Sequence, residues 1–99
     1  MSTAVREQPP SLPDPHDTLT GQIVRLETAT ETMMSYIGYL NTEIMKEEDR
    51  TNPNQAKIKA LRSQKNVVLD ERRAITPDNE ELIAKAIYVY APIMKALDA

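Results

Sequence analysis

Residues 19–44, LTGQIVRLETATETMMSYIGYLNTEI, decide the fold. Leu19, Ile23, Leu26, Thr30, Met33, Ile37, Leu40 and Ile44 follow one another at steps of four and three, and all but Thr30 are apolar. Such spacing sustained over three heptads predicts a long helix with coiled-coil-like packing, because residues so spaced share one helical face. Asp17 or Thr18 can cap it by accepting an orphan backbone N–H. Val24, Met34, Tyr36 and Met45 widen the stripe beyond a two-stranded seam, so this helix needs more than one packing partner.

Working outward, the pattern breaks at Thr51-Asn52-Pro53-Asn54-Gln55. Asn52 suits an N-cap, Pro53 the first helical position and Gln55 the third position of a capping box, so a second helix is expected from Pro53. Its apolar positions are Ile58, Leu61, Val68 and Ile75, with Val67 and Leu69 beside them. Lys65 and Arg72 occupy seam positions, where a long basic side chain can cover apolar surface with its stem and keep its charge at the edge.

A second break, Thr76-Pro77-Asp78-Asn79-Glu80-Glu81, combines a cap, a proline and three carboxylates suited to a helix N-terminus. The third helix carries Leu82, Ile83, Ala86, Ile87, Tyr90, Ile93, Met94 and Leu97. Pro92 lies within that stripe and predicts a kink there or an end near Tyr90. The fold class is therefore all-α: a long antiparallel helical hairpin with a third helix packed against it, over residues 18–99. Residues 1–17 hold four of the seven prolines and no apolar period, and read as a disordered Pro-rich tail. A Pro-rich docking peptide is the functional alternative for that segment.

Charge supports the hairpin. Residues 18–50 hold three basic and six acidic side chains, and residues 51–75 six basic and two acidic. Folding at Pro53 would set Glu43, Glu47 and Glu48 near Lys57, Lys59 and Arg62. Exposed pairs are worth only tenths of a kcal/mol each, yet the match favours the antiparallel register.

Composition narrows the function classes. With 99 residues and no cysteine, the chain has neither a disulfide framework, nor a thiol nucleophile, nor a Cys-ligated zinc. The lack of cysteine, of a membrane-length apolar run and of a signal peptide's apolar stretch leads us to expect a cytoplasmic protein. A net charge of −3 gives no overall attraction for nucleic acid or anionic lipid. His16, the one histidine, sits among prolines, where general acid–base chemistry has no held geometry. No phosphate-binding, dinucleotide-binding, metalloprotease or nucleophile-elbow string occurs. Glu47, Glu48 and Asp49 point round a helix rather than converging, and read as a solvated, salt-bridged face. No enzyme activity, cofactor or metal is expected.

What is left is surface. Tyr36 and Tyr39 lie on or beside the first seam. Tyr88 and Tyr90, two residues apart, cannot share a face, so one of them falls outside the core. Tyrosine is enriched at protein interfaces. Gly38, which weakens a helix interior, can mark a close crossing of a second backbone. The first helix, at about 1.5 Å per residue, outruns the second and third, leaving Leu19, Ile23 and Leu26 beyond them. The expected partner or dimer interface is thus Leu19, Ile23, Leu26, Tyr36, Gly38, Tyr39, Tyr88 and Tyr90. The expected function is a small protein-interaction module, a homodimer of the kind seen among inhibitors, antitoxins, secretion chaperones and phage or plasmid accessory proteins. The alternative is a helical nucleic-acid-binding regulator using Lys57, Arg62, Lys65, Arg72 and Arg73, although no aromatic interleaves these cations.

A long helix followed by two shorter ones also resembles, in outline, the all-helical chorismate mutases. That resemblance implies a dicarboxylate substrate held by several arginines and a lysine. The first helix offers Arg25, Lys46 and Arg50, at spacings that do not converge.

Overall fold

The computed structural model describes residues 18–97, which are helical apart from two short connections, and no strand occurs among them. The expected tail at 1–17 lies outside the described residues. Helix α1 runs Leu19–Glu48, α2 Gln55–Ala74, and a third arm comprises α3 (Glu80–Lys85), a π-helical turn (Ala86–Tyr90) and α4 (Ala91–Leu97) without a break. The expected hairpin with a third helix against it is the fold observed.

Thr18, of the two candidates, caps α1: its hydroxyl accepts the Gly21 N–H at 2.9 Å. The other two starts lie further along the chain than the sequence suggests. Helix α2 begins at Gln55 rather than Pro53, and its cap is Asn54 rather than Asn52; the Asn54 side chain accepts the Lys57 N–H at 3.1 Å. The reason is tertiary, because the Asn54 backbone N–H donates to the Glu47 carboxylate at 2.9 Å and fixes where the chain can turn. The third arm begins at Glu80, capped by Asn79 rather than Thr76. Thr76 and Pro77 instead open a tight turn closed by an Asn79 N–H to Thr76 carbonyl bond at 3.0 Å. Proline suits the second position of such a turn as well as it suits a helix start.

Pro92 does not end the third arm: it is the second residue of α4, directly after the π turn. The Ala91 N–H reaches back five residues to the Ala86 carbonyl, which makes the turn before Pro92 a wide one. A proline lacks the N–H for its own helical bond, and its ring crowds the carbonyl four residues earlier. A π turn immediately before it relieves that crowding and lets the helix continue.

Helix α1 is the shared element. Its buried residues Ala29, Met33, Tyr36 and Leu40 form one cluster with Val68 of α2 and Ile83, Ala86 and Tyr90 of the third arm. Ile37, Tyr39, Leu61, Ile75, Leu82, Ile87 and Met94 pack around it. Arg25 donates to the Glu80 carboxylate at 3.0 Å, so the third arm starts beside the first turns of α1 and runs alongside as far as Tyr36. The far part of the hairpin is closed by α2 alone, with Ile44 and Ile58 buried near the turn. No helix among the described residues is long and apolar enough to cross a membrane.

Candidate interaction surface

The structure divides the eight expected interface residues. Tyr36 and Tyr90 are corrections: both are buried, with ring centroids 4.9 Å apart, and join α1 to the third arm inside the chain. Their apolar area is spent on the intramolecular core. Tyr39 is half-buried and stacks on Tyr36 at 6.3 Å, and Leu26 is also half-buried. Leu19, Ile23, Gly38 and Tyr88 are exposed, Tyr88 at 76%. Of the Tyr88–Tyr90 pair, then, Tyr88 is the one outside the core. A Cβ placed on Gly38 would meet nothing within 4 Å among the described residues, so none of them requires glycine there.

Two apolar surfaces were not assembled from the sequence. On α1, Val24, Met34 and Met45 are exposed alongside Ile23. On the third arm, Val89, Ile93 and Leu97 are exposed at steps of four. Ile93 and Leu97 were expected in the buried stripe. The π turn adds one residue to a turn, so everything after it is rotated by about 100° relative to an unbroken 3.6-residue period. Met94 keeps contact with the core while Ile93 and Leu97 swing outward. The proline in the sequence was the available signal for that phase shift.

The candidate nucleic-acid contacts are mostly neutralised. Lys57 pairs with Glu47 at 3.3 Å, Arg62 with Glu48, and Arg73 with Asp70 at 3.2 Å. Lys65 and Arg72 make no ion pair among the described residues. The cations that the mutase outline would require are likewise engaged: Arg25 with Glu80, Lys46 with Glu43 at 3.3 Å and Arg50 with Glu47 at 3.5 Å. Among the described residues no group of three His, Cys, Asp or Glu side chains is placed to hold a metal ion.

Two polar clusters hold the scaffold that presents these surfaces. Glu47 is a correction to the solvated acidic face, since it is 3% exposed and takes the Asn54 N–H together with Lys57 and Arg50. The Asn54 N–H holds its carboxyl below the usual range, against the opposing effect of burial, with the Lys57 and Arg50 charges adding to the N–H. On the opposite side, Glu71 accepts the Tyr90 hydroxyl on one oxygen and the Lys85 ammonium on the other. Lys85 also stands 5.4 Å above the Tyr90 ring. Burial, and then the bond to Glu71, push the Tyr90 phenol up, while the same carboxylate raises Lys85. No signal in the sequence links Glu71 to Lys85 and Tyr90, because the pairing depends on how the third arm lies against α2.

Compared with models of known protein families, with curated proteins and with solved structures, the chain matches none.

Proposed function

We propose that this chain is a small, non-enzymatic, cytoplasmic protein-interaction module that presents helical surfaces and self-associates. The observation that carries this reading is two rows of exposed apolar side chains: Val89, Ile93 and Leu97 at steps of four on the third arm, and Ile23, Met34 and Met45 at steps of eleven, with polar residues between them, along α1. Scattered exposed apolar residues are ordinary, but rows repeating at helical spacing on one face are what a partner helix or groove engages. The polar clusters at Glu47 and Glu71 support the reading from another side, since they bind elements together and leave their charges paired within the chain.

The test uses the tagged chain as bait in an extract of its native host, beside Val89→Asp and Leu97→Asp variants of equal helicity by circular dichroism. The expected result is a protein retained by the unmodified chain and lost by the variants. Identical sets from all three baits would contradict the role of the third-arm strip.

A nucleic-acid-binding regulator ranks second. Lys65 and Arg72 without carboxylate partners support it, and the pairing of Lys57, Arg62 and Arg73 weighs against it. Salt-dependent retention on DNA, lost on Lys65→Ala with Arg72→Ala, would promote it.

A further inference from the structure

Ile23, Met34 and Met45 are exposed at 44, 54 and 67% and follow one another at intervals of eleven residues along α1. Eleven residues make three turns plus about 20°, so the three side chains lie within about 40° of one another on the outward face, roughly 16 Å apart. Thr20, Glu27, Thr30, Gly38, Asn41 and Glu48 fall on the same face. About Met34 the face is complementary to itself: the apolar Ile23 and Met45 stand eleven residues to either side, while Glu27, Thr20 and Thr30 stand as far before Met34 as Asn41, Glu48 and Gly38 stand after it.

We propose that this face takes a second copy of the chain, α1 antiparallel to α1, about a twofold axis through Met34. The proposal deepens the self-association stated above and rests on it. In this register Met34 meets Met34, and each Ile23 meets Met45 of the second copy. Glu27 falls opposite Asn41 and Glu48 opposite Thr20, so no carboxylate faces another. Gly38 falls opposite Thr30, whose hydroxyl is already bonded to the Glu27 carbonyl at 3.0 Å. The absent side chain at Gly38, which packing among the described residues does not require, lets the second backbone come close there.

The neighbouring registers fit worse. A slip of one turn in one direction sets Ile23 against Asp49 and Met45 against Glu27. A slip in the other brings Met45 to Leu19 but sets Ile23 against Asn41 and Met34 against Thr30, so the Met34 pair at the centre is lost. A parallel pairing stacks Glu27 on Glu27, Glu31 on Glu31 and Glu48 on Glu48, and like charges directly opposed are repulsive. The area fits a modest affinity. A helix about 45 Å long offering a face about 10 Å wide buries on the order of 900 Å² over two copies, below the roughly 1,200 Å² of stable specific interfaces and in the range of weak, transient ones.

The chain has no cysteine, so single cysteines report the register directly. Met34→Cys, Met45→Cys, Ile23→Cys and, as an exposed control on α2, Val67→Cys are prepared as full-length chains, checked for helicity, and treated with a mild oxidant. A disulfide needs Cα atoms within about 7 Å, and two copies of position 45 stand roughly 33 Å apart in the proposed register. The expected result is a disulfide-linked dimer for Met34→Cys, none for Ile23→Cys or Met45→Cys alone, and a linked dimer when those two are mixed. Cross-linking of Met45→Cys to itself, or Met34→Cys no faster than Val67→Cys, overturns the antiparallel pairing. Should the cysteines show no pairing while the bait experiment still captures a partner through the third arm, the second copy fails and the interaction module stands.

Discussion

The rings of Tyr36 and Tyr90 lie 4.9 Å apart and inclined at 35°, and this contact joins the third arm to the long helix. It gathers several separate effects in one place. Tyr36 is also stacked with Tyr39, and the Tyr90 hydroxyl is held by Glu71 of α2. One side chain thereby touches all three arms. Truncating Tyr90 to alanine is expected to cost about 3–5 kcal/mol, as loss of a large buried aromatic does. Tyr90→Phe keeps the ring and loses only the bond to Glu71, for about 1–3 kcal/mol. Urea denaturation of the two variants checks the order, and equal costs would mean that the hydroxyl, not the ring, holds the arm.

A second prediction separates Leu40 from Ile37, neighbours in the same heptad pattern. Leu40 is 3% exposed and Ile37 only half-buried. Leu40→Ala should cost about 2–4 kcal/mol and Ile37→Ala roughly half of that. The heptad read from the sequence treats them alike. Only the position of α2 and the third arm round α1 distinguishes them.

What is local in this chain is legible in its sequence, and what depends on contacts between the arms is not. Helical periodicity is local, so the three arms and the hairpin were legible from the spacing of Leu19 through Ile44 and from the two proline-containing breaks. The caps were displaced by two or three residues because competing local candidates, Asn52 against Asn54 and Thr76 against Asn79, are decided by contacts such as Glu47 with Asn54. Tyr36 and Tyr90 were misplaced at an interface because their mutual contact spans more than fifty residues of sequence. Ile93 and Leu97 were misplaced in the core because a π turn shifts the helical phase, which a 3.6-residue period does not register.

The third prediction concerns acid. The Glu47 carboxyl titrates below its ordinary value near 4.5 in the folded chain. A depressed carboxyl contributes stability that is complete above the unfolded value and is lost as pH falls through the folded one. Melting temperature should therefore drop below about pH 4.5 more steeply for the unmodified chain than for Glu47→Gln. At neutral pH Glu47→Gln should melt lower than Glu43→Gln, because Glu43 pairs with Lys46 one turn away on the same helix while Glu47 fixes the hairpin turn. Equal melting of the two variants would return Glu47 to the status of a surface carboxylate.

The fourth prediction concerns base. Tyr90 and Lys85 both titrate above their ordinary values near 10.0 and 10.5. The raised ammonium contributes stability that is full below the unfolded value and is lost as pH rises through the folded one, and ionising the buried phenol works against the fold over the same range. Stability should fall above about pH 10, with a late phenolate absorbance step that is missing in Tyr90→Phe. Lys85→Met should move the onset of alkaline unfolding to lower pH. An unchanged onset would show that Lys85 adds nothing to the Glu71–Tyr90 contact.

The most direct measurement of self-association is sedimentation equilibrium of the full-length chain at concentrations from about 10 to 100 μM, where a weak pairing in the micromolar range is populated. Self-association predicts a mass that rises with concentration from the chain's 11.2 kDa towards twice that value, and a Met34→Glu variant that stays at the monomer mass with unchanged helicity. A constant 11.2 kDa for the unmodified chain over the whole range would contradict it.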